Sequence, residues 1–197
     1  MKCSYAQVKL EGDSADQIDV DTFLQATESM IKLFDLLGSS SFSVVKSDMT
    51  GNVAKIRTKF LENPAAHNTL QAIVLVEKDL GKKRVATEGL LWLMRGLQFT
   101  SQALRRNLDD PSEELSVSFQ SAYGATLSKF HSFMIKPIFS LAMKACPYRA
   151  DFYAKLAASP EEQENAMKQL AEWLEAFEKI VKILFDLYAS GSYDKGL

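Results

Sequence analysis

Asp48, Asn52 and Lys55 carry the most specific chemistry offered by this 197-residue chain. They recur at intervals of four and three, so on an α-helix of 3.6 residues per turn they form one row. A carboxylate, an amide and an ammonium in a row supply acceptors and donors at the spacing of sugar hydroxyls. The row borders an apolar stripe of Val45, Met49, Val53, Ile56 and Phe60 and does not lie opposite it; Ser47, Ala54 and Thr58 do. Spacing alone also fits an ordinary solvated helix edge. Trp92 has two readings as well, a packed core residue or a flat platform for a sugar ring whose indole N–H seeks a partner. His131 stands among aromatic residues, the usual setting of a satisfied core histidine.

Other chemistry is thin. With two histidines and two cysteines, Cys3 and Cys146, the chain cannot readily build a zinc cluster, a nucleophilic triad or a disulfide framework. Neither a G-x-S-x-G elbow nor a P-loop occurs. No metal, no cofactor and no catalytic residue is expected. Residues 129–149 hold Lys129, Lys136, Lys144 and Arg149 and no acid, interleaved with Phe130, Phe133, Phe139 and Tyr148. Such a stretch suits either a solvated basic face or reversible contact with a bilayer.

These side chains need a scaffold, and composition allows one. Hydrophobic residues make up 47% of the chain, enough for a packed globule. A formal net charge of -2 argues against nucleic-acid binding and against charge-driven membrane attachment. The first residues lack an apolar signal core, and no apolar run reaches the length of a membrane span. A cytosolic monomer is expected. Helical periodicity starts after a polar arm over 1–18 and continues almost to the end. The first helix carries Leu24, Met30, Ile31, Phe34 and Leu37 and stops at Gly38. Others are expected over 42–62, 69–80 before Gly81, 85–107 with Thr87 as an early cap, 113–130, 133–145, 149–158 and 160–189. Pro137 should kink or begin its helix, and Ser159 caps the last. Gly89 and Gly96 suggest close approach of another backbone. No strand pattern is evident. The fold class is all-α with about eight helices, a single domain over 19–189 and a flexible tail over 190–197.

The segments Phe34-Asp-Leu-Leu-Gly38, Lys46-Ser-Asp-Met-Thr-Gly-Asn-Val-Ala-Lys55, Trp92-Leu-Met-Arg-Gly-Leu97, His131 and Pro147-Tyr-Arg-Ala-Asp-Phe152 resemble the glycolipid transfer protein family. The wording around Trp92 is most like its fungal HET-C branch. The resemblance implies a two-layer helical sandwich enclosing a lipid-binding cavity, with a glycosphingolipid as ligand. It gives Asp48, Asn52, Lys55 and Trp92 to the sugar, and Asp48 and His131 to the ceramide amide. Phe34, Phe42, Val45, Phe99, Phe139 and Phe152 would line or gate the tail tunnel. Phe133, Lys136 and Tyr148 would touch the membrane transiently. Phosphate-carrying members have extra basic residues in the headgroup centre; the neutral Asn52 and the retained Trp92 favour a sugar. Glu88 and the lack of a clear match to the C-terminal Tyr of animal members depart from the pattern, with Tyr193 a possible substitute. The resemblance implies a carrier of simple glycosylceramides, with a sphingolipid sensor that acts through a protein partner as the alternative. The first two helices, joined through Gly38 and Ser39-Ser-Ser41, are expected moving parts for gating.

Overall fold

The computed structural model describes residues 4–38, 42–157 and 159–197. Helix α1, Val20–Ile31, begins where the Asp19 carboxylate accepts from the Thr22 N–H at 2.9 Å. Val20, Phe23, Leu24, Thr27, Met30 and Ile31 repeat every three or four residues and are its buried face. A 3-10 turn over Lys32–Asp35 extends it to Gly38, whose φ of +104° leaves the helical region. Helix α2 is Ser43–Glu62. Helix α3, Leu70–Glu77, is capped by the Thr69 hydroxyl accepting from Ala72 N–H at 3.1 Å. Helix α4, Val85–Asp109, and α5, Leu115–Ala125, follow. Helix α6, Ile135–Lys144, holds Pro137 in its first turn, where the missing N–H is no loss, so the proline stands at the start of the helix. Helices α7, Arg149–Leu156, and α8, Gln163–Gly191, complete the chain. The class is all-α.

Contacts divide the chain into two units. The first holds 1–31, 47–94 and 179–197; the second holds 32–46 and 95–178. In the first, Phe23, Leu24, Met30, Met49 and Leu90 are wholly or almost wholly buried. In the second, Phe34, Phe42, Phe99, Phe119 and Phe177 fill the same role.

Both ends differ from the sequence reading. The expected polar arm carries a 3-10 turn at Tyr5–Gln7 and two short antiparallel strands, β1 Leu10–Glu11 and β2 Gln17–Ile18. Tyr5 is buried and its hydroxyl shares a hydrogen bond of 3.1 Å with Thr27; Ile18 is fully buried. A few apolar anchors suffice to seat a segment whose average composition is polar. At the other end the expected flexible tail is tied down by Arg84, which donates to the carbonyls of Tyr193 at 3.0 Å and Lys195 at 2.6 Å. Thr87 is not a cap at the helix boundary; it is buried inside α4. Ser39-Ser-Ser41, which joins the two helices expected to move, and Cys3 lie outside the described residues.

Candidate functional site

The headgroup candidates belong to the first unit. On α2 the apolar stripe is buried at Met49, Val53 and Ile56 and half-buried at Phe60. That burial fixes the rotation of the helix and brings the polar row to its edge. Asp48 and Lys55 are exposed, while Asn52 between them is only 3% exposed. The Asn52 amide donates to Asp48 Oδ2 at 3.4 Å, and Lys55 Nζ donates to Asn52 Oδ1 at 3.2 Å. The row is therefore one hydrogen-bonded chain with a fixed polarity: cation, amide, carboxylate. The amide orientation follows from its two charged neighbours.

Gly89 explains how α4 approaches this row. A Cβ at Gly89 would stand 3.1 and 3.2 Å from Lys55 side-chain carbons and 3.4 Å from the Asn52 carbonyl oxygen. A larger residue would push Lys55 out of place. Trp92, three residues on, shares the Gly89 face of α4 and is half-buried. Glu88 is half-buried too. Lys55 also lines a cleft of about 480 Å³ with Gly51, Lys59, Glu62, Leu80 and Lys83. The second histidine, His67, is a structural residue whose Nδ1 meets the Lys59 carbonyl at 2.7 Å.

The tail candidates and His131 belong to the second unit. Phe34 stacks on Phe42 at 5.5 Å, and Phe42 meets Phe119 edge-on at 5.9 Å. Phe119 meets Phe99 at 5.6 Å, and Phe99 meets Tyr123 at 6.4 Å. Tyr123 stacks on Phe139 at 5.4 Å, and Phe139 lies 4.4 Å from the His131 ring. Val45 is buried on α2, and Phe152 packs edge-on to Tyr153 at 5.3 Å. The Tyr123 hydroxyl and His131 Nδ1 are 3.0 Å apart. A phenol donating to Nδ1 leaves the imidazole proton on Nε2, the tautomer that can donate to an amide carbonyl. Burial pushes the Tyr123 phenol above its ordinary range, so it keeps the proton it would donate.

Phe133 is 83% exposed, Tyr148 74% and Leu141 70%, and Met134 and Ile138 are exposed beside them. Lys136 is exposed in the same stretch. Large apolar side chains and lysines are thus interleaved on the surface within one run of chain.

Sequence reasoning missed three residues here. Phe119 and Tyr123 link the aromatic file; their spacing of four on one helix was the available signal. Glu77, only 3% exposed, accepts from Ala86 N–H at 3.2 Å and from the Thr87 N–H and hydroxyl at 2.7 Å each, capping the start of α4 from a distance. Nothing in the sequence around Glu77 shows that. Among the described residues, no group of three or more His, Cys, Asp or Glu could hold a metal ion, and no helix is long and apolar enough to cross a membrane.

Comparison with known proteins defines the class. The family model described as glycolipid transfer protein matches residues 18–158. The chain belongs to the glycolipid transfer protein family. It is 55% identical over 190 residues to a glycolipid transfer protein of Aureobasidium melanogenum, covering 96% of this chain and 91% of that one. The solved structure of HET-C2, a fungal glycolipid transfer protein, matches with a TM-score of 0.89 and 46% identity over 95% of this chain and 94% of that one. The GLTP-fold of FAPP2, which selects simple glycosphingolipids, matches with a TM-score of 0.87 and 32% identity over 98% and 94% of the two chains.

Proposed function

We propose that this chain carries simple glycosylceramides between membranes without vesicles, one lipid at a time. The observation that carries the reading is the hydrogen-bonded row Asp48, Asn52 and Lys55, with its buried amide and its close approach to the Trp92 face of α4. In this reading Asp48, Asn52 and Lys55 bind sugar hydroxyls, Trp92 stacks under the ring, and Asp48 also accepts from the ceramide N–H. His131 donates to the ceramide carbonyl. Phe34, Phe42, Val45, Phe99, Phe139 and Phe152 receive or gate the tails. Phe133, Lys136 and Tyr148 meet the bilayer transiently, and the protein works as a monomer from the cytosol, as one domain.

Physical chemistry makes each part necessary. A ceramide exposes on the order of 30 apolar carbons, and at about 0.8 kcal/mol per CH₂ its escape into water costs roughly 20 kcal/mol or more. A carrier must replace the bilayer interior almost evenly, since much tighter binding would prevent release. Tails therefore supply affinity without identity. Identity comes from a polar centre that penalises lipids leaving its groups unpaired. The row holds one cation and one carboxylate, so its charges cancel, which suits neutral hydroxyls better than a dianionic phosphate. No bond is made or broken, and no general base or nucleophile is needed.

Fluorescent-lipid transfer between vesicles tests this with Asp48→Val. The variant should keep its helicity and lose glycosylceramide transfer. Loss of helicity, or transfer at the wild-type rate, would contradict a ligand role for Asp48.

A further inference from the structure

The C-terminal segment is fastened to the part of the first unit that leads to the headgroup row. Arg84 directly precedes α4 and is 8% exposed. Its guanidinium donates to three carbonyls, those of Gly81 at 2.9 Å, Tyr193 at 3.0 Å and Lys195 at 2.6 Å. Two further ties hold the same turn: the Glu77 carboxylate on Ala86 and Thr87, and the Tyr188 hydroxyl donating to the Thr87 carbonyl at 2.5 Å. The helix then continues unbroken through Gly89, which touches Asn52 and Lys55, to Trp92.

A hydrogen-bonded helix moves as a rod, so a displacement of its first turn reaches Trp92 about two turns later. The contact at Gly89 leaves little slack, because a single added carbon there would already crowd Lys55. The tie through Arg84 depends on the last residues of the chain. A planar guanidinium fork can serve several carbonyls at once in fixed geometry, which one ammonium cannot do. Tyr193 takes part through its backbone carbonyl. Its ring packs over Gly191 and lines a different groove, with Gln17, Gln71 and Leu75. That location argues against a sugar contact from the Tyr193 ring and for a mechanical role of the segment.

We propose that Arg84 is a positioning residue for headgroup recognition: it clamps residues 193–195 to the start of α4 and thereby fixes Gly89 and Trp92 against Asn52 and Lys55. The proposal rests on the headgroup reading given above. It makes the C-terminal segment part of selectivity, acting through α4 without touching the lipid.

The test measures vesicle transfer of galactosylceramide, and binding of unglycosylated ceramide with the same tails, on the full chain and its variants. The variants are Arg84→Gln, Arg84→Lys, a truncation after Gly191, the Arg84→Gln truncation, and Asp48→Val. Galactosylceramide transfer should fall about fivefold in Arg84→Gln and in the truncation, the equivalent of one ordinary hydrogen bond. Ceramide binding should not change. The combined variant should be no worse than either parent, because both break one tie, and Arg84→Lys should resemble Arg84→Gln. Equal losses for both lipids would overturn the proposal, as would additive losses. So would unchanged galactosylceramide transfer in the truncation while Asp48→Val abolishes it. Sugar preference surviving in Asp48→Val would overturn the headgroup reading itself and the positioning role with it.

Discussion

Asp48, Asn52 and Lys55 lie within two turns of one helix and are joined by hydrogen bonds of 3.4 and 3.2 Å. Phe34, Phe42, Phe119, Phe99, Tyr123, Phe139 and His131 come from widely separated stretches of chain and meet as a file of rings 4.4 to 6.4 Å apart. The first arrangement is local, directional and polar, and a change of one atom alters which partner it accepts. The second is non-local and apolar, tolerant of partner chemistry and sensitive mainly to volume. In the proposed function the first region chooses the headgroup and the second holds the tails loosely enough to release them.

The largest break in the comparison is Phe119→Ala. Phe119 is fully buried and meets Phe42 and Phe99 edge-on, so its removal should cost about 3–5 kcal/mol of stability in chemical denaturation. Any remaining transfer should fall alike for all lipids. A loss confined to sugar lipids would mean that the two regions are not separable.

Phe133→Ala probes the surface instead of the interior. Removing a side chain that is 83% exposed should leave stability within about 0.5 kcal/mol. Transfer should slow in the same ratio for every lipid carried, measured with vesicles, because less apolar area enters the bilayer. An unchanged rate would remove Phe133 from the docking role.

Gly89→Ala sharpens the polar side. Helix propensity would gain about 1 kcal/mol, and crowding against Lys55 would cost about 1 kcal/mol or more, so stability should hardly move. Sugar-lipid transfer should fall while tail binding persists. A variant with full glycosylceramide transfer would show that Lys55 has more room than the 3.1 Å approach allows.

The smallest effect concerns neither region. The Arg106 hydrogen bond, aided by Ser118, holds the Glu113 carboxyl below the usual carboxylate range. A depressed value contributes stability above the unfolded pKa, and that contribution is lost as pH falls through the lower folded value. Glu113→Gln should therefore lower the melting temperature at neutral pH, and the gap to wild type should close as the solution is acidified.

The same contrast explains how much was readable in the sequence. Periodicity marked α2 within a residue, and Gly38 and Gly81 announced their stops because both need positive φ, +104° and +58°. The polar row was legible because one helix carries all of it. The file was legible only in part. Phe34, Phe42, Phe99 and Phe139 could be named through a family resemblance, but the spacing of four between Phe119 and Tyr123 marks only a shared face of α5 and not the rings they meet. The β1–β2 pair was missed because two-residue strands give no alternation to detect. The grip of Glu77 on α4 was missed because a carboxylate at the end of a helix looks solvated until the fold buries it. Arg84 and the segment 193–195 escaped for the same reason, since main-chain carbonyls carry no sequence signal.

The measurement that bears most directly on the central claim is wild-type transfer between vesicles of three tail-matched lipids: galactosylceramide, ceramide-1-phosphate and a phosphoglyceride. The proposed division between a charge-balanced polar row that reads the headgroup and apolar residues that accept any tail predicts rapid transfer of galactosylceramide and little of the other two. Equal transfer of all three, or preference for the phosphate lipid, would contradict it.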